Sequence, residues 1–427
     1  MSMKAIIESE KRTPVVGEYD VIVAGGGPAG FSAAVTAARE GARVCLVEQC
    51  GGVGGVATSG LMSHWTGNTR GGIYEEILDR SADGPMRQTI HPEKLHGVLL
   101  EMLLEAGVEI RLYTFVVAPV MDGDRVAGVI VESKSGRQAL LAKVVVDATG
   151  DGDVAARAGA EFRLGREGDS AMQPMTLMFK VGGVDMSRAI LPPSFETRIA
   201  VPSGEIQALA RQILPHPAGH VLLYPTSIPG VVTCNMTNAI GVDGTKAEDL
   251  TAAQILCRRQ IPLIVKFLRE HAPGYENCHL LSAGAQIGVR ETRHFIGVST
   301  LTEDDIAEAR VFPDWVVTKA HFNFDIHNIK GAGLDEHGEQ HHFKQAKGYT
   351  IPYGCLVPRR IDGLLLAGRI ISGTHKAHSN FRVMPICANI GQAAGTAAAL
   401  AAKRGFAPRD LPVTDIQAAL KRQGVEV

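Results

Sequence analysis

The chain has 427 residues, is 45% hydrophobic and carries a formal net charge of −2. That length supports a large core and suggests two intertwined domains, since domains are commonly about 100–150 residues. The balanced charge leaves no electrostatic footprint for nucleic acid or an anionic membrane, and no apolar run approaches the ~20 residues of a membrane helix.

Residues 20–48 carry the strongest signal. An apolar strand, Val21 to Ala24, runs into Gly25-Gly26-Gly27-Pro28-Ala29-Gly30. A helical stretch of small residues, Gly41, a second strand from Val44 to Val47 and Glu48 follow. Strand, glycine turn, helix, strand and acid in this register predict a dinucleotide-binding βαβ unit. Gly25 makes the turn, Gly27 lets backbone approach a pyrophosphate on the helix N-terminus, and Gly30 lets helix pack on strand. Glu48 stands where a carboxylate accepts hydrogen bonds from ribose hydroxyls.

An irregular glycine-rich stretch, 51–60, comes next. His91-Pro92-Glu93 predicts a helix start, with the helix over 94–106 stopped by Gly107 and followed by a strand, VEIRLYT. Three strands, FVVAPVM, RVAGVIVES and QALLAKVVVDATG, are separated by Asp122-Gly123-Asp124 and Lys134-Ser135-Gly136 and predict a meander. A short helix follows Asp153. From 161 to 345 strand-like runs alternate with a helical pattern over 247–271, which predicts a second, sheet-containing substrate or cap domain. From 346 the chain is expected to return to the nucleotide domain, with a strand at Leu364 to Ala367 ending at Gly368 and a helix at about Ile390 to Ala402. The predicted fold class is α/β. Its nucleotide domain is discontinuous, over 1–160 and 346–427, and the second domain covers 161–345.

The pieces GGGPAG at 25–30, GGVGGVATSG at 51–60, DATGDGD at 147–153, IGVRETR at 287–293, LLLAGR at 364–369 and GQAAG at 391–395 span nearly the whole chain. Together they resemble the FAD-dependent oxidoreductases. These share the glutathione-reductase-like fold with succinate dehydrogenase and fumarate reductase flavoproteins. The resemblance implies FAD as cofactor, with the meander inserted in a Rossmann-like domain. Contacts to FAD are then expected at Gly25, Gly27, Pro28, Ala29, Gly30, Glu48, Gln49, Gly55, Thr58, Val116, Ala148, Gly150, Asp153, Gly368, Arg369, Gly391 and Gln392. It also implies that the late helix points its N-terminus, near Asn389 to Gln392, at the pyrimidine edge of the flavin, where a helix dipole stabilises negative charge.

The sequence separates the chain from several relatives. No C-x4-C pair follows the first acid as in disulfide reductases, since Cys45 and Cys50 flank Glu48 instead, and its middle part shows no second G-x-G-x-x-G. Gly368-Arg369-Ile370-Ile371 stands where aromatic hydroxylases carry a G-D-A-A-H-like sequence.

The expected chemistry is hydride transfer between a polar small organic substrate (a hydroxy acid, amino acid or sugar derivative) and flavin N5. Candidate catalytic groups are His375, His378 and Arg382, placed in a loop after the late strand, with Arg290 and His327 from the second domain. A histidine there suits a general base and an arginine a carboxylate clamp. The alternative for the Arg290-Glu291 pair is a plain inter-domain ion pair. A second reading is an ene-reductase of the fumarate reductase kind, fed by a protein electron donor and using Arg290 or Arg382 to give the proton. A flavin monooxygenase and an FAD-binding tRNA-modification factor are weaker readings, the latter disfavoured by the charge balance.

His64 lies near where succinate dehydrogenase-like proteins link FAD covalently, but its surroundings do not match theirs. No metal site is expected: the run Asp335 to His342 has ligand types without ligand spacing and reads as a polar loop or lid. Met172, Met175 and Met178 read as core packing. Seven scattered cysteines and an N-terminus without a signal-like apolar stretch predict a cytoplasmic protein. Expected partners are a small-molecule substrate and a protein or quinone electron acceptor, with neither nucleic acid nor membrane. A homodimer is expected only because twofold assemblies are common.

Overall fold

The computed structural model describes residues 10–83, 86–340 and 348–427, together with 6, 8, 343 and 345. The N-terminal segment read as untargeted lies largely outside them.

The apolar run around Val21 extends into a long strand, β1 (Val15–Ala24), and its last four residues are fully buried. The first helix (Pro28–Arg39) starts with proline in its first turn, where a missing N–H has no consequence. β2 (Val44–Val47) then lies parallel to β1, with Val21 opposite Val44. β3 (Glu109–Arg111) pairs parallel with β2. β4 (Phe115–Asp122), β5 (Arg125–Ser133) and β6 (Gly136–Asp147) form antiparallel ladders in series.

β6 joins two layers because of its length. One edge lies parallel to β1 from Ala139 to Asp147, while the other pairs its first half with β5 and its end with the strand Leu364–Leu366. The carboxyl ends of β1, β2, β6 and that last strand therefore share one edge, where ligands bind in open parallel sheets.

The late helix (Met384–Arg404) crosses the first helix at very close range. A Cβ on Gly391 would stand 2.0 Å from the Ala29 carbonyl oxygen, and one on Gly395 2.1 Å from that of Ala33. Thr36 Oγ1 also donates to the Gln392 carbonyl across this contact. The helix begins six residues before the expected Ile390, with Pro385 in its first turn. The segment before it is also helical, His375–Phe381, and not the loop expected from its serine and asparagine.

Two hydrophobic cores are present. One takes residues from Tyr19 to Ala160 and again from Phe295 onward; the other takes Met175 to Cys278. The strand Phe179–Gly182 pairs on one side with Val232–Cys234, followed by Leu223–Pro225, and on the other with His279–Ala283. The helix Ala247–His271 packs Cys257, Ile261, Ile264 and Leu268 into the second core. Phe295, Trp315 and Phe324 fall within the expected second segment, 161–345, yet pack in the first core. No single helix among the described residues is long and apolar enough to cross a membrane.

Candidate active site

A cavity of about 550 Å³ opens at the shared carboxyl edge of the sheet. Gly25, Gly27, Pro28, Ala29, Glu48, Gln49, Gly55, Val116, Ala148, Gly150, Asp153, Gly368 and Arg369 line it. The helix Ala247–His271 contributes Leu250, Thr251, Gln254 and Ile255 to the wall.

Three features fit an anionic dinucleotide. Gly27 caps the first helix without any side-chain hydrogen bond, so first-turn N–H groups stay available to a phosphate. Glu48 is locked by backbone: Oε2 accepts from Gly26 N at 2.6 Å and Oε1 from Cys50 N at 2.7 Å. Each oxygen keeps lone-pair capacity for a ribose hydroxyl. Arg369 and Arg382, both on the cavity wall, have buried Nε atoms without a hydrogen-bond partner.

The cavity floor is pinned by one ionic lattice. Arg369 Nη2 and Thr292 Oγ1 both donate to Asp151 Oδ1 at 2.7 Å. Arg293 Nη1 reaches the Asp151 carbonyl at 2.7 Å and Asp153 Oδ1 at 3.1 Å. The IGVRETR stretch thus holds the DATGDGD turn and the Arg369 loop in one frame.

Four expected FAD contacts lie off the cavity. A Cβ on Gly30 would meet Gly25 O at 1.8 Å, so its role is helix-on-strand packing. Thr58 donates to Val53 O at 2.7 Å within its own turn. Gly391 and Gln392 sit a turn and more inside the late helix. Gly391 serves the helix crossing, while Gln392 accepts from Ile73 N at 3.0 Å and donates to Gln423 at 2.8 Å. The helix end facing the cavity is instead Met384 with Cys387, and its first turn has no side-chain cap.

Deeper in, a polar cluster assembles around Asp325. Arg382 Nη2 donates to the Asp325 carbonyl at 2.8 Å and lies 3.1 Å from its carboxylate. His327 Nε2 is 3.3 Å from the same carboxylate, and Gln340 donates to its other oxygen at 2.7 Å. Burial pushes the Asp325 carboxyl up, but His327, Arg382 and Arg290 together hold it far below the ordinary range. Burial, and then Arg290, hold His327 down to about 4. Arg290 donates to Pro174 O at 2.6 Å and Thr176 Oγ1 at 2.8 Å, and burial beside Arg382 pulls it down to about 10. Arg290 and Glu291 are therefore not partners of one another.

Glu291 is buried and binds the histidines. His294 Nε2 lies 2.8 Å and His375 Nδ1 2.5 Å from its Oε1, and Gln173 N donates to Oε2 at 3.0 Å. His375 and His378 are both buried and neither lines the main cavity, contrary to the exposed loop setting expected for them. His64 also lies off it. Its Nδ1 is 2.7 Å from Ser63 Oγ, its ring packs on Tyr224 at 4.8 Å, and both line a second cavity of about 630 Å³. In the Asp335–His342 run, Gln340 reaches Asp325 and Glu339 accepts from Lys376 at 3.1 Å, while His341 and His342 lie outside the described residues. Gln173, Tyr224 and His294 were not anticipated from sequence; the three-residue spacing of Glu291 and His294 was the available signal.

The sheet edge, uncapped helix and ribose-binding acid define a dinucleotide-binding enzyme. The chain belongs to the FAD-dependent oxidoreductase family, whose model matches residues 20–420, and its cofactor is FAD. It is similar to the thiamine thiazole synthase of Aeropyrum pernix, at 36% identity over 164 residues, which is 33% of this chain and 58% of that protein. It is also similar to the digeranylgeranylglycerophospholipid reductase of Methanosphaerula palustris, at 28% identity over 155 residues, 31% of this chain and 39% of that one. These matches span less than two thirds of the relatives' own lengths. A geranylgeranyl bacteriochlorophyll reductase-like protein from Thermoplasma acidophilum superposes over 95% of this chain and 83% of its own, with a TM-score of 0.50 at 15% identity. A likeness at that identity speaks to the fold alone.

Proposed function

We propose that this enzyme is an FAD-dependent dehydrogenase or oxidase acting on a C–H bond beside oxygen or nitrogen in a small anionic molecule, such as a hydroxy acid or amino acid. The observation that carries the reading is the buried cluster in which Arg382 bonds Asp325 while the charge of Arg290, itself bonded to Pro174 O and Thr176, acts on the same carboxylate from nearby. With His327 neutral, two guanidinium charges face one carboxylate, so a bound carboxylate or phosphate completes the balance. Bound FAD supplies the two-electron acceptor at the cavity. Arg382 is positioned for the anion because it lines the cavity and keeps its Nε unpaired. His327 is neutral at working pH and can take the substrate proton, with Asp325 stabilising the resulting imidazolium. Seven free cysteines support a reducing, cytoplasmic setting. Oxygen, a quinone or a protein would reoxidise the flavin.

The test is anaerobic mixing of the purified protein with a panel of hydroxy acids, amino acids and uncharged sugars, following loss of the visible flavin absorption. Bleaching by a carboxylate-bearing compound is expected, and none by NADH or NADPH. Rapid bleaching by a nicotinamide instead would overturn the reading. With the reactive compound, Arg382→Ala should react about 10²-fold more slowly per molar substrate, because a hydrogen bond to a charged group contributes about 1.5–3 kcal/mol. An unchanged second-order rate would remove Arg382 from the site.

A second reading runs in the reducing direction, supported by the digeranylgeranylglycerophospholipid reductase among the relatives. The depressed Arg290 also gives up a proton more easily than an ordinary arginine. Electrons would then come from a protein donor.

A further inference from the structure

We propose that Glu291, His294 and His378 form a mononuclear divalent-metal site, separate from the flavin cavity. Glu291 and His294 come from one extended segment, and His378 comes from the short helix His375–Phe381 facing it. One ligand atom from each lies within 4.8 Å of the other two, and all three residues are buried.

His294 Nε2 meets Glu291 Oε1 at 2.8 Å, but the other ring nitrogens of this cluster are poorly served by protein. His378 makes no side-chain hydrogen bond among the described residues, and the buried Nδ1 atoms of both His294 and His378 have no partner. The two rings stand at 75° with centroids 4.6 Å apart, a packing contact that satisfies neither. A buried polar atom left without a partner is destabilising, so two in one cluster call for a compensating ligand. Two imidazoles and one carboxylate are a donor set that zinc and ferrous ions take, leaving a coordination position for water.

The surroundings fit such a role. Metal-binding carboxylates are themselves held by hydrogen bonds from outside the ligand set. Here His375 Nδ1 and Gln173 N hold the two Glu291 oxygens at 2.5 and 3.0 Å. The ion would join two arms of the flavin site. Thr292 and Arg293, next to Glu291, grip Asp151 and Asp153, while Arg382 ends the helix that carries His378. Its expected task is therefore to fasten those arms together.

The test uses zinc as probe on the flavin-loaded protein. After chelator treatment, exposure to zinc and gel filtration, metal and flavin per protein molecule are measured by elemental analysis and absorbance. About one zinc per molecule is expected, together with a higher thermal midpoint. His378→Phe, near-isosteric and apolar, and Glu291→Gln should each weaken zinc binding at least tenfold, while His337→Gln in the exposed loop should not. Absence of zinc binding by the unaltered protein at tenfold excess would overturn the proposal. So would undiminished binding in His378→Phe with flavin retained. If both ligand variants lose flavin, the unaltered protein still decides: a stoichiometric zinc-dependent rise in midpoint supports the site, and none refutes it.

Discussion

Gly27→Ala should leave the apoprotein as stable as before and abolish tight flavin binding, whereas Gly30→Ala should damage the fold itself. The two glycines are three residues apart in one motif, yet they face different things. A Cβ on Gly27 meets nothing within 4 Å, and its backbone, at φ −67°, is one that alanine adopts freely. The added methyl would stand in the cavity at the N-terminus of the first helix, where a pyrophosphate would otherwise meet free N–H groups. A Cβ on Gly30 would lie 1.8 Å from the Gly25 carbonyl oxygen and 3.0 Å from the Ala148 side chain. Only movement of strand against helix relieves that, and overpacking of this kind costs about 1–3 kcal/mol or more. FAD titration by flavin fluorescence and urea unfolding of the apoprotein separate the two. Gly27→Ala should raise the FAD dissociation constant about 10²-fold with stability changed by less than about 0.5 kcal/mol. Equal FAD affinity in Gly27→Ala would mean that no phosphate rests on that helix.

The contrast shows where sequence was a sufficient guide. The stretch from Val21 to Glu48 is largely local, since its strand pairing, its helix start and the Glu48 bond to Gly26 are all made within about thirty residues, so its spacing carries its geometry. The late segment is different. Thr374 caps the helix His375–Phe381 through a hydrogen bond from Ala377 N at 3.2 Å, yet its glycine, serine and asparagine neighbours read as loop. Pro385 reads as a breaker unless it is placed in the first turn, where it in fact opens the late helix. Gly391 and Gln392 sit in a motif that reads as cofactor-binding, but the helix phase set from Met384 turns them toward the first helix and Gln423. Residues 295–324 have the same apolar texture as those before them, and periodicity cannot tell which of two cores an element joins. The clusters around Asp325 and Glu291 were legible only as residue types, because their members are far apart in the chain and their pairing is made by tertiary structure.

Acidification from pH 7 to pH 5 should remove about 5 kcal/mol of folding stability. Three histidines carry the bulk of the effect; His378, also held low by burial, adds to it, while His375, held up against burial by Glu291, opposes it. Burial, with His327 and Arg290 nearby, holds His220 down to about 3; burial and Arg290 hold His327 to about 4; burial holds His64 to about 4. In the unfolded chain each titrates near 6.5. Below that value the unfolded state takes up protons that the folded state refuses, so stability is complete above pH 6.5 and is lost as pH falls toward 4. Between pH 7 and 5 each histidine contributes a loss of about 2 kcal/mol, a large part of the 5–15 kcal/mol typical of a folded domain. Asp325 acts in the same direction, since its carboxyl is held low, but its loss begins only below the ordinary carboxylate range near 4. The window from 6.5 to 4 therefore belongs to the histidines. Urea midpoints at pH 7, 6 and 5 measure the slope, and His220→Phe should flatten it, because that ring takes up its proton only on unfolding. His327→Asn should likewise flatten it and also remove the group assigned to accept the substrate proton. A midpoint that stays level from pH 7 to 5 would mean these rings take up protons in the folded protein as readily as in the unfolded chain. His327 would then titrate as in the unfolded chain, near 6.5, and the burial said to keep it neutral would have no effect.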